Sequence, residues 1–169
     1  METYQDPPLR VSDDAVKDIV TGRLIERGHE VRLARLNPKP YSKVIGFVVD
    51  DFAGARITYR VESKGRWLRM IFYEANCRSE SLRNSFRGFA EFLDFLVLES
   101  TGIERLYGAI HEMRSDLGRD LATERIAAFY KRILCGRTLE WRDGQEIIYT
   151  EMCWWKDFRS LDAPADVAA

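Results

Sequence analysis

Histidine and paired cysteine are what this sequence most lacks. The 169 residues include two histidines, His29 and His111, and three widely spaced cysteines, Cys77, Cys135 and Cys153, with no CxxC pair. Metal sites and disulfide frameworks both need such residues in close pairs, so neither is supported. Each cysteine stands among apolar or aromatic neighbours and reads as a small buried hydrophobe. No apolar run approaches the roughly 18 residues of a membrane span, and METYQDPPLR lacks the basic-then-apolar pattern of a secretory signal. A cytoplasmic protein with no membrane partner is expected. Charge of one sign is missing as well: 26 Lys and Arg stand against 27 Asp and Glu, a net charge of -1. That balance leaves no general field to attract nucleic acid.

Apolar side chain, by contrast, is plentiful. Hydrophobic residues make up 46% and charged residues 31%, enough to offset the entropy of ordering one core. Cores usually split only beyond about 250 residues, and no repeat or linker interrupts the pattern. One domain is therefore expected over 1–160, with the non-periodic LDAPADVAA of 161–169 as a loose tail.

Pro7 and Pro8 mark an extended lead-in. Ser12 or Asp13 can then cap a helix in which Val16, Ile19, Val20 and Leu24 share a face, and Gly28 stops it. Strands are predicted over 29–36, 44–49, 56–62 and 66–73. The short links Asn37–Pro40, Asp51–Ala55 and Ser63–Gly65 join them as an antiparallel meander. From Ser81 to Ser100, Leu82, Phe86, Phe89, Leu93, Leu96 and Val97 recur at three and four, a helix ended by Gly102. A strand over 103–110 and a polar stretch from Glu112 to Asp120 follow. A second amphipathic helix then carries Ile126, Tyr130, Ile133 and Leu134 on one face, and Gly136 ends it. The chain closes in a hairpin of 137–141 and 146–155 around Asp143-Gly144. The fold class is α/β (α+β): a central, mixed, mostly antiparallel sheet with helices on both faces. The strand 66–73 should run parallel to 104–110 through a right-handed crossover.

Three segments in this order, within roughly Val44 to Trp155, resemble the GNAT superfamily of acyl-coenzyme A dependent acyltransferases. Arg87-Gly88-Phe89-Ala90, with Leu93 after it, looks like the family's phosphate loop. Thr101-Gly102-Ile103 resembles its link into the next strand, and Ala127-Ala128-Phe129-Tyr130-Lys131-Arg132 resembles the segment ending in FYxxxGF. The physics behind the first match is general: backbone amides at a helix start, a glycine with no Cβ in the way and a nearby arginine together hold pyrophosphate. Two departures stand out, Ser85 where the family has Arg or Gln, and Gly136 one residue late after Tyr130.

The resemblance implies an N-acyltransferase that moves an acetyl or longer acyl group from acetyl-CoA or another acyl-CoA directly to an amine, on a small molecule or a protein. It places Arg83, Ser85, Phe86, Arg87, Gly88, Phe89 and Ala90 around the pyrophosphate. Tyr130 is then the general acid for the departing thiolate, with Glu74 or His111 as base. Trp141, Trp154 and Trp155 on the last hairpin read as an acceptor wall, as core, or as a subunit contact in a homodimer. The alternative, which the two departures would explain, is a binding or regulatory module that keeps the fold without turnover.

Overall fold

Short glycine-bearing links between alternating segments bring successive strands side by side, and the chain builds its sheet that way. The computed structural model describes residues 3–74, 87–109, 131–132 and 136–155. Helix α1 (Ile19–Glu26) is followed by β1 (Val31–Arg35), β2 (Val44–Phe52), β3 (Ala55–Glu62), β4 (Trp67–Glu74), α2 (Arg87–Leu98), β5 (Arg105–Ala109), β6 (Arg137–Arg142) and β7 (Gln145–Glu151). The strands form one sheet in the order β1-β2-β3-β4-β5-β7-β6. Strands β4 and β5 run parallel, Trp67 to Arg69 beside Arg105 to Tyr107, and the other pairs are antiparallel. This is the mixed α/β architecture with the expected crossover through α2. Among the described residues, the parallel ladder goes no further than Arg69 and Tyr107, although β4 continues to Glu74. No helix among the described residues is long and apolar enough to cross a membrane.

Two of the hairpins turn on two residues that both have positive φ: Ala53 (51°) with Gly54 (74°), and Asp143 (52°) with Gly144 (76°). This is the mirror-image turn whose twist matches that of paired strands. Alanine is the poor choice at such a φ, because its Cβ crowds the following carbonyl by roughly 1–2 kcal/mol. Ala53 is exposed, so a larger side chain there extends into solvent. Ala53→Asn should therefore raise stability by about 1 kcal/mol, read as a higher urea midpoint with an unchanged slope.

Two element boundaries differ most from expectation. Helix α1 begins at Ile19, not near Ser12: Asp18 is its cap, and its carboxylate accepts from the backbone and the hydroxyl of Thr21, each at 2.8 Å. Asp13 is used locally instead, accepting from Arg10 N at 2.7 Å in a turn. The last strand stops at Glu151, and Met152–Trp155 form a helical turn. Met152 N donates to Glu104 O at 2.8 Å, and the buried Trp155 donates its indole N–H to Asp94 of α2 at 3.0 Å. Cys153 lies between these two inward residues and faces solvent, contrary to the buried role expected of it. Cys77 and Cys135 lie outside the described residues.

Both described helices pack on the same face of the sheet. Val20 and Leu24 of α1 and Phe89, Phe92, Leu93 and Leu96 of α2 meet Val49, Ile57, Tyr59, Leu68 and Met70 in one core. Tyr59 ties the layers together: its ring packs against Phe92, and its hydroxyl lies 2.7 Å from that of Thr21. At the open edge of the sheet, all six residues of β6 are exposed, and a bulge at Leu139 offsets its register against β7.

Candidate functional site

The start of α2 carries the four described residues of the expected phosphate loop. Gly88 is buried against the β2–β3 hairpin so closely that a Cβ there would lie 2.3 Å from Phe52 O and 2.7 Å from the Ala55 Cβ. Its bare α-carbon faces protein. The amide of Phe89 donates to the Tyr73 hydroxyl at 3.2 Å inside the core, where the two rings also meet edge to face. Arg87 is exposed and ion-paired with Glu91, one turn on, at 3.2 Å. Ala90 packs against the core from its rim. In this segment the glycine and the Phe89 N–H are committed to joining helix and sheet. Arg83, Ser85 and Phe86 lie outside the described residues.

Glu74, the first candidate for base, sits at the end of β4 beside Arg56 of β3. Alternation sends Tyr73 to the α2 face and Glu74 to the other, so the structure does not bring Glu74 together with Gly88 and Phe89. Glu74 instead lines a groove of about 490 Å3 on the sheet's outer face. Ile45, Val48, Ile71 and Phe72 contribute apolar surface to it, and Arg56, ion-paired with Asp50 at 2.6 Å, stands at the same end as Glu74. At the opposite end the groove is walled by the lead-in residues Thr3 to Asp6 and by Arg32 and Arg35 of β1.

Asp6 is the residue that the sequence reading missed. It is 7% exposed, and its carboxylate accepts from the Arg35 guanidinium twice, at 2.7 Å from Nε and 2.9 Å from Nη2. Arg35 also donates to Ser42 O, and Arg32 donates to Asp6 O at 2.6 Å. The hydrogen bonds to Asp6 raise the pKa of Arg35 above its ordinary value, against the opposing effect of burial. Two residues 29 apart carry no local signal of pairing, although an Asp inside an otherwise plain Pro-flanked lead-in was visible.

Tyr130 and His111, the candidate acid and the second candidate base, lie outside the described residues. The helical residue after Tyr130 is fastened to the sheet: Lys131 pairs with Glu146 of β7 at 2.6 Å. Burial would raise the Glu146 pKa, but bonds from Lys131 and Thr138, with the charge of Lys131, bring it below the ordinary 4.5. The aromatic hairpin divides three ways. Trp155 is core, Trp154 packs against Tyr149 with the Arg137 guanidinium 4.6 Å from its ring, and Trp141 is exposed on β6. Next to them Arg105 is sandwiched between Trp67 and Tyr149, 4.5 and 4.6 Å from their centroids, and bonds Glu151. The three tryptophans therefore do not form one wall.

A domain of this kind, a seven-stranded mixed sheet with both described helices on one face, belongs with α/β modules that share architecture across unrelated tasks. Residues 17–148 match the family model of LcrR, type III secretion system regulator, and the chain belongs to that family. Among curated proteins none matches. Among solved structures, the chain is similar to a GNAT family acetyltransferase from Elizabethkingia anophelis with acetyl-CoA bound. The identity is 13% and the TM-score 0.33, over 83% of this chain and 86% of that one, a likeness too remote to bear on function.

Proposed function

We propose that this chain is a regulator of type III secretion that works by binding protein, not by turning over an acyl donor. The observation that carries the reading is the LcrR family match across 17–148. The geometry supports it at one point: Gly88 and the Phe89 amide, the groups a cofactor phosphate would need, hold α2 to the sheet. The competing reading is an N-acyltransferase using acetyl-CoA or another acyl-CoA with Tyr130 as acid, and the β4–α2–β5 crossover is the feature it shares with this chain.

One titration separates them. Calorimetry with coenzyme A and acetyl-CoA should show no saturable binding up to about 1 mM, an affinity weaker than about 4 kcal/mol. Saturation in the micromolar range would overturn the proposal if it came with turnover on an amine panel that falls roughly 100-fold in Tyr130→Phe.

A further inference from the structure

We infer that the lead-in Thr3–Leu9 is a displaceable internal occupant of the outer-face groove, and that the groove's external ligand is an extended, carboxylate-bearing segment of a partner protein. This deepens the binding-module reading by naming its surface, and rests on that reading for the partner being a protein. The lead-in is held at two points. Asp6 is buried in the Arg35 fork, and Leu9 packs against the core with its amide on Val31 O at 2.7 Å, while Thr3, Tyr4, Gln5, Pro7 and Pro8 are exposed. Both points lie along β1, an edge strand of the sheet. What the edge recognises there is already displayed: a main-chain carbonyl on Arg32 and a carboxylate held side-on by Nε and Nη2 of a planar guanidinium. That is how an extended peptide is read at a sheet edge, with main-chain contacts for affinity and a side-chain socket for specificity.

The resident segment walls only one end of the groove. Beyond it the groove continues over β2 and β3 to Glu74, with an apolar floor and a volume of about 490 Å3. That volume is within the roughly 300–1,000 Å3 typical of ligand sites. A longer segment that placed a carboxylate in the Arg35 fork would reach this floor with its neighbouring side chains, which the lead-in does not. Charge at the far end is mixed, Arg56 beside Asp50 and Glu74, so the specificity for an acid lies at the Arg35 end.

The test uses the full chain and a fluorescent peptide with the sequence of residues 1–11. Anisotropy should show the peptide binding Asp6→Asn protein at least tenfold more tightly than wild type, because the resident carboxylate no longer competes. A peptide with Asn at the Asp6 position should not bind, and Arg35→Gln protein should bind neither peptide. Equal affinity for wild type and Asp6→Asn overturns the inference, as does no binding to a folded Asp6→Asn protein. An Asp6→Asn chain that no longer folds would also overturn it, since the segment would then be part of the core. Hydrogen exchange on wild type gives a second readout: excess peptide should speed exchange at residues 3–9, and unchanged exchange counts against displacement. These results read the groove alone, so they can fail while the coenzyme A titration stands, and the reverse.

Discussion

Gly88→Ala should cost about 3 kcal/mol, and Gly88→Val should leave the chain largely unfolded at room temperature. A Cβ at this position meets Phe52 O at 2.3 Å, the Ala55 Cβ at 2.7 Å and the Tyr73 hydroxyl at 3.2 Å. Two of these contacts are too short to survive, and the nearest is a backbone atom that cannot rotate away. Overpacking of a tight core costs typically 1–3 kcal/mol, and a clash with backbone belongs at the upper end. Alanine's better helix propensity, worth roughly 1 kcal/mol over glycine, works in the opposite direction. A measured loss therefore understates the clash. Against a total stability of about 5–15 kcal/mol, valine with two further methyl groups exceeds what a small domain tolerates. Urea unfolding of the alanine variant decides the matter. A midpoint equal to that of wild type would show that α2 stands off from the β2–β3 hairpin, leaving the glycine available to a ligand.

Thr21→Val should destabilise the protein about twice as much as Tyr59→Phe, although each removes one hydroxyl from the same hydrogen bond. The direction of that bond explains the asymmetry. The Thr21 hydroxyl has one proton, and the Asp18 carboxylate 2.8 Å away can only accept, so Tyr59 donates to Thr21. Burial holds the Tyr59 pKa well above its ordinary 10.0, and the bond to Thr21 only partly offsets this. Tyr59→Phe removes the donor while Thr21 keeps Asp18, a net loss of about 1 kcal/mol. Thr21→Val leaves the Tyr59 hydroxyl in the core with no acceptor among the described residues and takes a bond from the α1 cap, together about 2 kcal/mol. Equal losses in chemical denaturation would mean that the proton lies the other way.

The meander and the crossover were legible because they rest on local signals: alternation, turn residues and the three-four spacing of α2. The start of α1 was not, since Asp13, Asp14 and Asp18 are equally good caps in isolation. Asp18 wins because Thr21, three residues on, sits against Tyr59 of β3, a contact 38 residues away in sequence. Gly88 shows the same limit at the candidate site. A glycine at a helix start suits a phosphate or a close-packed neighbour equally well, and only the position of the β2–β3 hairpin distinguishes them. Glu74 was rightly placed at a strand end, but an extra β4 residue, Ile71, opposite Thr58 and Tyr59 sets which residues near that end share its face. The Asp6–Arg35 fork was invisible for the plainest reason, that nothing at either residue specifies the other.

The two borders of the sheet are closed by different means, and this gives it a direction. At β6 the extra residue at Leu139 breaks the even spacing of amides and carbonyls that an incoming strand would have to match, so that border resists extension although it is fully exposed. At β1 the spacing interrupts only at Ala34 and Arg35, and a short stretch of the chain's own backbone lies alongside. Among the described residues, one border is interrupted by its own register and the other carries a cover, so the two ends of this sheet are not equivalent.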